Sequence, residues 1–229
     1  MMEPSETAQH RRLYRWFYDN VHSRQYDLCL NWVLIPCGGE KKFRAVMLEP
    51  VRFSSGERIL DMCCGTGGCT FAIRERAGKE AQIIGCDLSY GQARNAKRKN
   101  RFANVHFFVA DARRTGLPDA QFDKVFIPHA LHEMRRELRL AVLAEARRLT
   151  KPGGSVVVLE LARPPRLPGR LLQGLWFGYW IPWPINFENP TRREMLRYGV
   201  ANELSEVGFK EVTTTHKYRE WTQVVIGSR

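Results

Sequence analysis

Three carboxylates each close a short apolar run: Asp61 in "ILDMCCGTGG", Asp87 in "IIGCDLS" and Asp111 in "FFVADA". Gly65, Gly67 and Gly68 follow the first of them within a single loop. Glycines placed between an apolar run and a helix let the backbone come close to a ligand. A dinucleotide fingerprint, G-x-G-x-x-G, would need its third glycine where Thr70 stands. Asp61 would also repel a pyrophosphate, whereas a ligand with an ammonium and a sulfonium tolerates it. Asp87 could accept both hydroxyls of a ribose, and Asp111 the exocyclic amine of adenine. Adenosine without phosphates, joined to a cationic amino-acid tail, describes S-adenosylmethionine. The plainer alternatives are turn glycines at 65 and 67 and helix N-caps at 87 and 111.

His129 and His132 follow the apolar run 122–127, three residues apart on what the pattern predicts as the start of a helix. A histidine can take a proton near neutral pH, so either could serve a phenolic or enolic acceptor as a general base. The alternatives are a polar helix start and a packed histidine. "HALHE" lacks the H-E-x-x-H order of zinc proteases. The six cysteines, Cys29, Cys37, Cys63, Cys64, Cys69 and Cys86, show no CxxC spacing, so no metal is expected. Cys63 and Cys64 read as small packing residues whose backbone lines the methionine end of the cofactor. Tyr26 and Trp32 read as lid or core aromatics, with substrate contact as the alternative. The basic run "RNAKRKNR", 94–101, reads as a solvated helix face.

These residues need a scaffold. The apolar runs predict strands at 58–62, 82–86, 105–109, 122–127 and 155–161, alternating with helices at 70–76, 90–101 and 136–149. Such alternation argues for a parallel sheet with helices on both faces. Segments 209–218 and 221–226 predict an antiparallel hairpin at the sheet edge. Residues 1–50 lie outside this pattern and read as a mostly helical lid or substrate segment, leaving 51–229 as the main domain. Within it, 162–200 reads as an insertion rich in proline, arginine and large aromatics, and insertions at strand ends of open α/β sheets often build the ligand site.

The chain has 229 residues, 44% hydrophobic and 26% charged, enough for one sizeable core. No apolar run is long enough to span a bilayer as a helix. The first residues lack the apolar stretch of a signal peptide, so a cytosolic protein is the default expectation. The formal net charge of +12 attracts polyanions such as nucleic acid, an anionic membrane surface or an acidic substrate.

The motifs "LDMCCGTGG", "GCDLS", "VADARRTGLPDAQFDKVFIPHALHEM" and "LTKPGGSVVVLEL" cover residues 57–161 in order and resemble the class I S-adenosylmethionine-dependent methyltransferases. That resemblance implies a Rossmann-like, seven-stranded, mostly parallel sheet whose final strand is antiparallel. The flanks are most similar to the ubiquinone/menaquinone biosynthesis C-methyltransferases: "YDLCLNW" to their YD-x-x-N segment, "LELARPP" to LEF-x-x-P, "WIPWP" to their aromatic segment, and "ANELSEVGFKEV" to their closing helix and strand. Where that family carries Leu-Arg-Asn after the fourth strand, this chain carries Leu131-His132-Glu133. The cofactor site implied comprises Asp61, Cys63, Gly65, Gly67, Asp87, Leu88, Asp111, Ala112 and Pro128; the catalytic set is His132, His129 and Tyr26.

The activity expected is methylation of a ring carbon in a lipophilic quinol or phenol precursor. The alternatives are N-methylation of a phospholipid headgroup, methylation of RNA, and a cofactor-binding scaffold without turnover. The run Ile127-Pro128-His129-Ala130 lacks the Asn/Asp-Pro-Pro-Tyr/Phe motif of adenine-N6 enzymes, and it has no Pro-Cys motif of the cytosine-C5 enzymes; no RNA-binding module is evident. A lipophilic small molecule is therefore the expected partner, with nucleic acid disfavoured. An anionic membrane surface, approached through the arginines and aromatics of 162–185, and a second copy of the chain are partners the composition allows.

Overall fold

The computed structural model describes Asp19, residues 23–176 and residues 189–229. The described strands form one sheet: β1 (Arg58–Met62), β2 (Gln82–Asp87), β3 (Val105–Val109), β4 (Phe122–Pro128), β5 (Thr150–Leu161), β6 (Lys210–Lys217) and β7 (Thr222–Ser228). Their order is β3-β2-β1-β4-β5-β7-β6. The first five run parallel, and β7 runs antiparallel to both β5 and β6. The fold class expected from the sequence is therefore present. The predicted hairpin is also present, with one refinement: β7 pairs along β5 from Ser155 to Leu161 and leaves β6 at the edge.

Among the described residues two helices precede the sheet, α1 (Ser23–Leu34) and α2 (Glu40–Met47), with a short 3-10 turn, Ile35–Cys37, between them. The crossovers are α3 (Gly68–Ala77), α4 (Tyr90–Lys99) and α5 (Arg136–Leu149); α6 (Leu167–Trp176), α7 (Asn189–Tyr198) and α8 (Val200–Glu206) lie between β5 and β6. Within 162–200 the described residues are helical at 167–176, 189–198 and 200 and not at 162–166 or 199, and residues 177–188, with Phe177, Tyr179 and Trp180, lie outside the described residues.

Successive strand residues point to opposite faces, and this alternation divides the core in two. On one face Leu60, Val125, Ile127, Val156 and Val158 pack with Val142, Leu143 and Ala146 of α5 and Leu204 of α8. On the other, Ile59, Ile83, Phe126, Val157 and Leu159 pack with Phe43 and Met47 of α2 and Ile73 of α3. Central strands buried on both faces read as unbroken apolar runs, and "SVVVLEL" of β5 is one, interrupted only by Glu160. No described helix is long and apolar enough to cross a membrane.

Candidate functional site

From β1 the chain winds to β2 and β3 on one side and to β4 and β5 on the other. Open α/β sheets bind ligands in the crevice at such a reversal, beyond the carboxyl ends of the strands. Two non-glycine residues take left-handed backbone there: Cys63 after β1, with φ 59°, and His129 after β4, with φ 50°. Such conformations cost energy and concentrate at functional sites.

Asp61 is wholly buried on β1. The Thr70 hydroxyl donates to its Oδ2 at 2.5 Å, and its Oδ1 has no hydrogen-bond partner among the described residues. Burial pushes its carboxyl up to about 7, against the pull of the Thr70 hydrogen bond and of Arg44. An acid poised this way, with an oxygen unspent, suits a cationic or donor-bearing ligand and opposes a phosphate. Gly65 has φ 55°, and a Cβ there would meet nothing within 4 Å, so the loop borders open space at this point. Gly67 meets another need: with φ 83°, a Cβ there would crowd Phe107, Ala96 and Phe71 at 3.0–3.1 Å. One glycine leaves room, and the other admits close packing of loop against helix and strand.

Asp87, at the end of β2, ties the site together. Its Oδ2 accepts from the Gly65 N–H at 2.9 Å, and its Oδ1 from the Ser89 N–H at 2.9 Å. Burial raises its carboxyl above the usual range, and those two backbone donors lower it. Leu88 beside it is exposed and Ala112 is buried. Asp111, after β3, accepts from both the side chain and the backbone of Arg113. Ser89 caps α4, its Oγ accepting from the Gln92 N–H at 3.2 Å.

The segment before the sheet closes over this loop. The Asp19 carboxylate accepts from the Ser89 hydroxyl at 2.5 Å and the Gly91 N–H at 3.0 Å. The Asp27 carboxylate accepts from the Thr66 hydroxyl at 2.5 Å and pairs with Lys99 at 2.7 Å. Arg44, buried on α2, pairs with Glu40 at 2.7 Å, and this pair sits against Gly68, where a Cβ would collide with it. None of these partners was singled out from sequence. Their only signal was the YD spacing of the first segment, which cannot show which loop an aspartate will meet. Tyr26's side chain lies outside the described residues, and Trp32 is exposed at 69%.

The two histidines have different environments. His129 lies outside the helix expected to carry both, because only a 3-10 turn, Leu131–Glu133, forms there. Its ring is buried 5.4 Å from that of Phe43, and its Nε2 has no partner among the described residues. Burial, reinforced by Arg44, lowers its pKa to about 4 against the pull of Glu160, which makes it a neutral ring at physiological pH. His132 contacts Glu160, a wholly buried residue on β5, with Nδ1 at 2.9 and 3.1 Å from the two carboxylate oxygens. The same carboxylate accepts from the His132 and Leu161 backbone N–H groups. Burial pushes the Glu160 carboxyl up, but the opposing pull of His132 prevails and holds it at about 2. Thr191 of α7 donates to the His132 carbonyl at 2.7 Å. Glu160 was legible as an anomaly, since a carboxylate inside a buried strand requires a partner.

Burial raises the thiols of Cys63, Cys64, Cys69 and Cys86, so all four are neutral packing groups. No metal-binding cluster occurs among the described residues. A polar groove of about 450 Å³, lined by Ser54, Glu57, Asp123, Lys124 and Lys151, lies at the opposite edge of the sheet, by the amino ends of β1 and β4.

Residues 59–154 match a family model described as a methyltransferase domain. The chain is 33% identical over 146 residues to the demethylmenaquinone methyltransferase of Bacillus velezensis, covering 62% of each protein. It is 31% identical over 207 residues to the demethylmenaquinone methyltransferase of Beutenbergia cavernae, covering 85% of this chain and 82% of that one. Among solved structures, a SAM-dependent methyltransferase from Aquifex aeolicus superposes with a TM-score of 0.60 at 18% identity, covering 80% of this chain and 88% of the other. The match thus spans about 62% of the Bacillus protein's length and most of the Beutenbergia one. The chain belongs to the demethylmenaquinone methyltransferase family of class I S-adenosylmethionine-dependent methyltransferases.

Proposed function

We propose that this chain binds S-adenosylmethionine and methylates a ring carbon of a lipophilic quinol of the demethylmenaquinol type. The observation that carries the cofactor assignment is the hydrogen bond from Gly65 to Asp87, which joins the glycine loop to the carboxylate at the end of β2. When bound, the cofactor supplies an electrophilic methyl group on a cationic sulfur. Asp87 would hold the ribose hydroxyls, and the buried Asp61 would answer the positive end of the ligand. Asp19 and Asp27 brace the covering segment on Ser89, Gly91 and Thr66, which favours exclusion of water. The chain's contribution is positioning and desolvation, since the leaving group is already activated. The name of the Beutenbergia relative and the aromatic, arginine-rich stretch after β5 support a lipophilic ring as acceptor.

Calorimetry with S-adenosylmethionine, followed by transfer of a labelled methyl group to a detergent-dispersed demethylnaphthoquinol, tests both halves. Asp87→Ala is expected to weaken cofactor binding by about 10- to 100-fold, the loss of a charged hydrogen-bond acceptor. Label appearing on phosphoethanolamine and none on the quinol would replace the acceptor. No heat with the cofactor would end the assignment.

A further inference from the structure

We propose that Glu160 is a positioning residue that fixes His132 as a one-sided base directed at the methyl acceptor. The inference rests on the quinol reading for the identity of the acceptor, and on the geometry alone for the pair itself.

Both Glu160 oxygens lie within hydrogen-bond distance of His132 Nδ1, and the Glu160 side chain has no exposure to solvent. A carboxylate can only accept in such a contact, so Nδ1 carries a hydrogen. In the neutral ring that leaves Nε2 as the nitrogen with a lone pair for a proton. The ring cannot turn over without breaking the contact, because the same carboxylate also grips the His132 backbone N–H at 3.2 Å. From the other side, Thr191 fixes the His132 carbonyl. The imidazole retains 12% exposure. A buried carboxylate oriented by two backbone donors and aimed at one imidazole nitrogen is the arrangement that sets tautomer and orientation in acid–base pairs.

His129 cannot take this part. Its burial against Phe43, reinforced by Arg44, keeps it from holding a proton at neutral pH. Among the described residues, the titratable and charged groups near His132 include Glu160 on β5, His129 at the exit of β4, Glu133 in the same 3-10 turn, and Arg192, buried on α7, the helix packed against that turn. Beyond His129 stands Arg44 of α2. Glu160 is the one among them in contact with the ring's Nδ1, so it sets the tautomer.

The proton step balances as follows. The acceptor's O–H bond breaks with its electron pair left on oxygen, which enriches the neighbouring ring carbon. The proton bonds to Nε2, and the imidazolium keeps its Nδ1–H on Glu160. Once the carbon holds its new methyl group, its own hydrogen leaves to water as a proton. Nε2 then returns the first proton to the oxygen.

Three measurements on the full chain test this. Long-range ¹H–¹⁵N spectra of histidine-labelled protein are expected to show His132 with hydrogen on Nδ1, and a shift toward hydrogen on Nε2 in Glu160→Ala. In Glu160→Gln, kcat on the quinol is expected to fall about 100- to 1,000-fold, the share a general base supplies. Its cofactor Kd should stay within about twofold, because the substitution is remote from the glycine loop. The acid limb of kcat against pH should move to lower pH, since the charge that stabilises the imidazolium is gone; in His132→Gln that limb should vanish. Hydrogen on Nε2 in the unaltered protein, or a Glu160→Gln enzyme with unchanged kcat and acid limb, would overturn the proposal. An unaltered enzyme inert on the quinol refutes the acceptor, and the spectra still decide the pair without any variant or turnover.

Discussion

Asp61 is a carboxylic acid whose ionisation sits at about 7 because it is wholly buried. The neutral form favours the fold: this contribution is complete below the ordinary carboxylate range and is lost as pH rises toward 7. Binding a cationic ligand works in the opposite direction, since it requires the ionised form. Cofactor affinity is therefore expected to rise with pH between 5.5 and 8.5, by up to about tenfold per unit below 7, with a proton released on binding. Calorimetry in buffers of different ionisation enthalpy reads that proton directly. Asp61→Asn should bind more weakly and with a flat pH profile; a variant that kept the slope would assign the linkage to another group, with Asp87 the next candidate.

At the scale of elements, one buried cation ties three helices together. Arg139 on α5 has no exposure and donates to Glu203 on α8 at 2.7–3.1 Å, to Glu194 on α7 at 3.0 Å, and to the Met134 carbonyl. Removing one partner of a buried pair leaves a charge uncompensated. Glu203→Gln is accordingly expected to cost about 3 kcal/mol in urea unfolding, and Arg139→Met with Glu203→Leu should recover much of that loss. A cost below about 1 kcal/mol would show that Glu194 suffices alone. This lock was not legible in the sequence, because Glu203 and Arg139 lie on different helices with no shared periodicity. The strands were legible: continuous apolar runs such as 156–159 and 125–127 have one stable use in an alternating α/β chain. Strand ends were less so. β5 begins at Thr150, five residues before its apolar run, because the Lys151-Pro152-Gly153-Gly154 stretch is extended too. The carboxylates Asp61 and Asp87 of the glycine site could be singled out through their place at strand ends. The residues that cover it, Asp19 and Asp27, were not, because their partners Ser89, Gly91 and Thr66 lie some 40 to 70 residues away. The helix expected over both histidines failed to form because His129 takes a left-handed turn immediately after β4.

Across the whole molecule, a net charge of +12 accompanies apolar side chains left outside. Leu171 and Leu175, one turn apart on α6, are 61% and 66% exposed, while Gln173 between them is buried and donates to the Ala162 and Trp221 carbonyls. We propose that this face meets a lipid phase, whose anionic headgroups would lie near Arg163 and Arg166. Salt-sensitive sedimentation with phosphatidylserine liposomes is the expected outcome, with Leu171→Ser and Leu175→Ser together releasing the protein while cofactor binding persists. Equal sedimentation of the double variant would assign attachment to another surface. The position of β7 has a consequence of a different kind. This strand, which follows β6 in the chain, is central to its half of the sheet: it fills the place between β5 and β6, and its Ser228 is in register with both Ser155 and Lys210. During synthesis β5 must wait with an open edge, and β6 with nothing to pair to, until the ribosome has released residue 228 from its exit tunnel. The β7-facing edge of β5 thus stays unpaired for the whole time it takes to translate nearly seventy further residues. For that interval the nascent chain depends on whatever shields such edges in the cell.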